Sequence, residues 1–191
     1  MVRSVRFLTD FADQAVIIPL VLAIALALFV QGWRRGAIVW LVAVGATFAV
    51  TLAFKLIFLG CRPLFGPLDV HSPSGHVAAA TVVAGGLTAL FTRSRSSILP
   101  VAAVTAIIIG ISRVVLHMHS VPEVMIGAVI GLCGAAAMRG SSSPPSRLRI
   151  APLLAVIVIV TVLFHGMHLP AEAAIRHTAY RAALFIPACR P

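Results

Sequence analysis

Apolar residues run almost unbroken along this chain, and the polar positions fall between the runs instead of alternating with them. Six segments stand out: Ala15–Gln31, Ala37–Leu59, His76–Thr92, Ile98–Ser112, Val121–Met138 and Ile150–Phe164. A membrane-crossing helix needs about 20 mostly apolar residues, so the fourth and sixth segments are short and must borrow flanking residues or sit within the bundle. Continuous apolar runs without a two-residue period predict helices. In lipid only helices or closed barrels satisfy their own backbone. The pattern therefore predicts an all-α fold, a polytopic membrane helix bundle of about six transmembrane helices forming one domain over residues 1–191. Gly85-Gly86, Gly127 and Gly131 would let such helices approach closely. Gly140–Ser146 is a loop by composition. Within the tail 168–191, the stretch Ala171–Ile186 carries Arg176, His177 and Arg181 among apolar residues, as a short amphipathic helix at the interface would.

Composition agrees with that reading. Of 191 residues, 60% are hydrophobic and 10% charged, against about 25% charged in soluble domains. The net charge of +10 does not imply a nucleic-acid partner, because the arginines are scattered as short clusters and build no continuous basic face. Their placement orients the bundle instead. Arg34-Arg35, Arg93 with Arg95, and Arg139 with Arg147 and Arg149 follow the first, third and fifth segments, which puts those loops in the cytoplasm. The loops after the second and fourth segments, and both termini, then face outward. Arg3 and Arg6 before Ala15–Val30 faintly resemble a secretion signal, but no small-x-small site precedes Gln31, so an uncleaved first helix is expected. Trp33 and Trp40 are expected in an interfacial aromatic belt. Cys61, Cys133 and Cys189 have no CxxC or CxxxxH spacing and are odd in number. Neither a zinc site nor a disulfide framework is signalled; Cys61 and Cys189 could share a side of the membrane, yet unpaired thiols are the expectation.

Three polar islands interrupt this apolar background: Lys55 with Arg62-Pro63, Pro73-Ser74-Gly75-His76, and Ser112-Arg113 with His119 and Glu123. Lys55 is the only lysine and lies inside an apolar run, where a charge costs roughly 2.5–3.5 kcal/mol at mid-membrane. Such a residue implies a partner, and a phosphate shared with Arg62 and Arg113 fits, since arginine presents a planar fork to phosphate oxygens and lysine a point charge. The topology brings all three islands to one membrane surface. Pro73–His76 reads as a helix start with Ser74 near the N-cap, where free backbone N–H groups favour an anion and Gly75 lets the ligand approach. His76 on that first turn could act as a general acid. His119 and Glu123, four apart, would share a helix face. Glu123 would fix one ring nitrogen of His119 and leave the other as a nucleophile. Pro122 suits a first helical turn. His117 is a rival with the wrong spacing, and Asp69 and His71 would shape the entrance. His165, His168 and His177 have no acidic or cysteine companions and read as interfacial residues rather than metal ligands.

In order and interval these islands resemble the signature of the type 2 phosphatidic acid phosphatase superfamily, K-x6-RP, PSGH and SR-x5-H-x3-D. The match comprises Lys55, Arg62 and Pro63, then Pro73 to His76, then Ser112, Arg113 and His119. The resemblance implies phosphate-ester hydrolysis through a phosphohistidine, with no metal and no cofactor. His119 would be the nucleophile and His76 the proton donor. Lys55, Arg62, Ser74, Gly75 and Arg113 would hold the phosphoryl oxygens. Glu123 stands where the family has aspartate, and its extra methylene puts the rate and pH optimum in question. The implied substrate is a lipid phosphate or diphosphate taken from the bilayer at the outer face, such as undecaprenyl diphosphate, phosphatidic acid, phosphatidylglycerol phosphate or a lipid A phosphate. The compact, arginine-biased composition suits a bacterial inner membrane. A lipid phosphotransferase with the same intermediate and a non-enzymatic lipid-binding or transport protein are the alternatives.

Overall fold

A computed structural model describes residues 2–61, 70–92, 94–140, 145, 148–186 and 189. Arg62, Pro63, Asp69, Arg93, Arg147 and most of the Gly140–Ser146 loop lie outside the described residues. Among the described residues the chain is all helical: α1 (Val2–Asp10), α2 (Gln14–Val30), α3 (Arg34–Gly60), α4 (Gly75–Phe91), a 3-10 turn (Arg95–Ser97), α5 (Ile98–Val115), α6 (Val121–Arg139), α7 (Ile150–Phe164) and α8 (Ala171–Ala183).

Four stretches, Arg3–Val30, Arg34–Gly60, Arg95–Val115 and Val121–Arg139, are long and apolar enough to cross a membrane. The apolar helices α4 and α7 have 17 and 15 residues. At 1.5 Å per residue they fall a little short of a 30 Å hydrocarbon core. A bundle of about six crossing helices fits these lengths. Two additions lie outside the six apolar segments. One is α1, which turns into α2 at residues 11–13; the other is α8, which packs against the end of α3.

Small residues set the tightest contacts. A Cβ on Gly127 would come 2.5 Å from the Ser74 carbonyl oxygen, and one on Gly131 would come 2.6 Å from Thr81 Cβ. These glycines let α6 lie directly against α4, which matters because Ser74 opens α4 at the polar islands. A buried cluster of Ile24, Leu28, Val44, Val82 and Leu153 ties α2, α3, α4 and α7 together. Trp40 belongs to this cluster, not to an interfacial belt. It is 2% exposed, and its indole Nε1 donates to the Val21 carbonyl at 2.9 Å. Helix association in lipid rests on packing and interhelical hydrogen bonds, and Trp40 supplies both.

The helices alternate in direction, so the connections collect in two layers. At one end Arg149 N–H donates to Gln31 Oε1 and Arg95 Nη1 donates to the Arg139 carbonyl. At the other end His165 Nε2 lies 3.1 Å from the Phe7 carbonyl, and His168 Nε2 3.2 Å from Asp10 Oδ1. Lys55, Ser74 and His119 belong to this second end. There Cys61 and Cys189 form a disulfide, 128 positions apart, which corrects the expectation of unpaired thiols. The pairing depends on the tail folding back over the end of α3, and local spacing carries no sign of that.

Candidate active site

Each polar island sits at a helix end. Ser74 is the N-cap of α4 in extended backbone, and its N–H donates to the Glu123 carbonyl at 3.0 Å. The first N–H groups of α4 are left without intrahelical acceptors, beside the positive end of the helix dipole. Lys55, in the last third of α3, is 2% exposed. Its Nζ donates to Ser72 Oγ at 3.0 Å and to Glu172 Oε2 at 2.7 Å. A Cβ on Gly75 would lie 3.4 Å from Lys55 Cε, so the lysine stem runs across the start of α4. Arg113, in the last turn of α5, is also buried. Its Nε and the Ser74 hydroxyl are buried with no hydrogen-bond partner among the described residues. Unpaired buried polar atoms are costly, and two of them in one layer leave a place suited to an oxygen-rich ligand.

Glu123 joins the second and third islands. Its Oε1 accepts from the His71 and Ser72 N–H groups, both at 2.7 Å. Its Oε2 accepts from Ser120 N–H at 3.1 Å and lies 2.8 Å from His119 Nδ1. The pairing of His119 with Glu123 does not come from a shared helix face, as their spacing suggests. His119 precedes the helix, Ser120 is its N-cap, and Glu123 is the third residue of a capping box, with Pro122 in the first turn. A capping box favours glutamate at this position because the side chain must reach back to the N-cap. The glutamate therefore makes the histidine contact here without displacing the loop. With Nδ1 held, Nε2 is the ring nitrogen left for chemistry.

His76 lies on the first turn of α4, and its Nε2 is 3.6 Å from Asp13 Oδ2. A cavity of about 490 Å³ opens beside the His119–Glu123 pair, lined by His71, His119, Glu123, Glu172, Arg176 and Tyr180 among others. His117 is on its rim, exposed, with a left-handed backbone (φ 54°). The structure thus brings Lys55, Ser74, Gly75, His76, Arg113, His119 and Glu123 to one layer; Arg62 lies outside the described residues.

Two contributors escape the sequence reading, Asp13 and Glu172. Asp13 lies at the turn before α2, and Glu172 in the first turn of α8. Burial alone would raise the Glu172 carboxyl. The charge and hydrogen bond of Lys55, with weaker fields from His119 and Arg176, outweigh burial and hold it below the usual carboxylate range. Scarcity was the available signal: only five acidic residues stand against fifteen basic ones, so each is worth placing.

The sequence profile of the PAP2 superfamily matches residues 36–144, which takes in Lys55, Pro73–His76 and Arg113–Glu123. The chain belongs to the PAP2 superfamily. A protein from Klebsiella pneumoniae, described as an uncharacterized 22.5 kDa protein in the cps region, is 31% identical over 137 residues. That alignment covers 69% of this chain, and the chain spans 66% of that relative's length. No solved structure matches. PAP2 membership supports a phosphatase-type activity, and the apolar helices make this PAP2 protein a membrane protein by length and composition.

Proposed function

We propose that this PAP2 protein hydrolyses a lipid phosphate or diphosphate at the outer face of a bacterial inner membrane, without a metal, through a phosphohistidine at His119. One observation carries the reading. A nitrogen nucleophile is held by a carboxylate, 2.8 Å from Nδ1 to Oε2, in the same layer as the buried cations Lys55 and Arg113, the unpartnered Ser74 hydroxyl and the N-terminus of α4.

In this reading the phosphoryl oxygens take the Arg113 fork, the Lys55 ammonium and the α4 N–H groups, which neutralise charge as it builds on phosphorus. The Nε2 lone pair of His119 forms the N–P bond while the P–O ester bond breaks. The departing oxygen takes a proton from His76, and the alcohol leaves, or the lipid monophosphate where the substrate is a diphosphate. Water then attacks phosphorus, His76 accepts its proton, and the N–P bond breaks to release phosphate and restore His119. Glu123 holds the His119 tautomer and stabilises the ring while it is charged. Glu172 occupies a Lys55 contact that a phosphoryl oxygen would use, so substrate must displace it.

Two features of the site end support the outer face. Disulfides persist in oxidising compartments, and Cys61–Cys189 lies there. All four described acidic residues also lie at that end, while the opposite connections carry Arg34, Arg35, Arg95, Arg139 and Arg149, the arginine-rich pattern of cytoplasmic loops. A lipid substrate suits a site set at the ends of apolar helices and bounded by short connections.

The test is phosphate release from a panel of lipid phosphates and diphosphates by detergent-purified protein in EDTA, beside His119→Ala. Wild type should release phosphate and, after acid-free quenching, carry acid-labile phosphate on histidine. His119→Ala should do neither. Equal release by the two proteins overturns the reading.

A further inference from the structure

The turn between α1 and α2 lies on the Pro73–His76 segment. Gln14 Nε2 is 3.6 Å from where a Cβ on Gly75 would stand, and the neighbouring Asp13 directs one carboxylate oxygen at His76. The two oxygens of Asp13 do different work. Oδ1 accepts from Ala15 N–H at 2.8 Å and caps α2. Oδ2 is not needed for the cap and lies 3.6 Å from His76 Nε2. Asp13 as a residue is 7% exposed. A buried carboxylate needs paired or hydrogen-bonded surroundings, yet a serine or asparagine would cap equally well without a charge. The cap alone therefore does not account for an aspartate here. His76 also feels charged or titratable groups from the other elements around it, Arg113 of α5 and His119 before α6, and Lys55 of α3 runs past the neighbouring Gly75. Among these, Asp13 is the group that favours a protonated ring.

We propose that Asp13 is a positioning residue for the leaving-group step: it holds the His76 ring through Nε2 and stabilises its protonated form, so that the proton on Nδ1 is delivered to the departing ester oxygen. The inference rests on the phosphatase reading above. The site then contains two histidine–carboxylate pairs with opposite tasks. Glu123 orients His119 to attack, and Asp13 favours the charged form of His76 that releases the alcohol. In the first step the His119 Nε2–P bond forms, the P–O bond breaks, and the electron pair on the ester oxygen captures the His76 proton. His76 is left neutral and still held by Asp13, ready to take a proton from water in the second step.

Asp13→Asn keeps the cap and removes the charge. We measure KM and the first step alone, as alcohol or p-nitrophenol release in a single turnover, for an alkyl lipid phosphate, whose alkoxide must be protonated to leave, and for p-nitrophenyl phosphate, whose anion leaves unaided. The expected result is a fall of tenfold or more in the single-turnover rate on the alkyl ester, little change in its KM, and less than about a threefold fall on the aryl ester. Asp13→Glu should restore part of the alkyl activity. Asp13→Ser, a second cap without charge, repeats the measurement should the asparagine protein not fold. Wild-type activity of Asp13→Asn on the alkyl ester overturns the proposal, as does a parallel fall on both esters, which would mean that Asp13 only shapes the loop. Absence of phosphate release from wild type overturns the phosphatase reading itself, and this inference with it.

Discussion

Glu123 replaces the family's aspartate, and restoring that aspartate should harm this protein. In Glu123→Asp the carboxylate withdraws by one carbon–carbon bond, about 1.5 Å. Its four contacts measure 2.7, 2.7, 2.8 and 3.1 Å, so a retreat of even about 1 Å takes them past hydrogen-bond range. The shorter side chain cannot serve both the 71–72 loop and His119. Hydrogen bonds to a charged group contribute about 1.5–3 kcal/mol each. Losing two, with buried N–H groups left unmet, costs about 3–6 kcal/mol out of a typical total of 5–15. Activity should fall about 10²-fold, the usual effect of an ångström of misplacement at a reacting group. The assay is kcat/KM for phosphate release together with the melting temperature of detergent-purified protein. Wild-type values for both in Glu123→Asp would refute the reasoning. They would show that the capping box and the loop adjust freely, and that the glutamate is not matched to its surroundings.

The contacts of α8 yield two more predictions. Glu172→Gln should tighten inhibition by inorganic phosphate about twofold to fivefold, the size of a half-exposed ion pair of about 0.5–1 kcal/mol, because the carboxylate no longer competes at Lys55; unchanged inhibition removes Glu172 from the phosphate site. The Glu172 carboxyl is held below its ordinary value. Its stabilising contact is therefore complete above the unfolded value of about 4.3 and is lost as pH falls through the depressed folded value, so α8 amides should exchange faster on acidification, and unchanged exchange counts against the contact. Thiol labelling should find one reactive cysteine, Cys133, before reduction and three after it. Reduction should lower the melting temperature, with an upper bound of about 5 kcal/mol from chain entropy for a loop of this length; labelling of all three without reductant would refute the bridge.

The features legible in the sequence are those that lipid or a short motif enforces locally. Backbone satisfaction in the bilayer makes apolar runs into helices, and α3, α4, α6 and α7 lie where the runs predict. Ser74 and Pro122 announce helix starts because capping is a matter of a few adjacent residues. The same locality explains why the polar islands converge: each ends or begins a crossing helix, and antiparallel neighbours put those ends in one layer. What was hidden depends on which surface a distant segment meets. Trp40 near a helix start reads as a belt residue, and only the crossing of α2 over α3 turns its indole inward to Val21.

Asp13, Glu172 and Cys189 share a further property: each lies outside the matched region 36–144. Within that region lie the proposed nucleophile His119, its carboxylate Glu123 and the proposed phosphate ligands Lys55 and Arg113, with Arg62 part of the same motif though outside the described residues. Outside it, the turn between α1 and α2 and the first turn of α8 meet the same end and place carboxylates beside His76 and Lys55, the groups proposed to move the proton and to bind phosphate. A motif can be found by spacing because its residues are tied to the ends of neighbouring helices. A terminal helix can dock anywhere its apolar side fits, so its charges reveal a partner only after it has docked. On the proposed mechanism the matched region carries the chemistry, and the segments outside it set how readily phosphate enters and the alcohol leaves, which is where Asp13→Asn and Glu172→Gln should act.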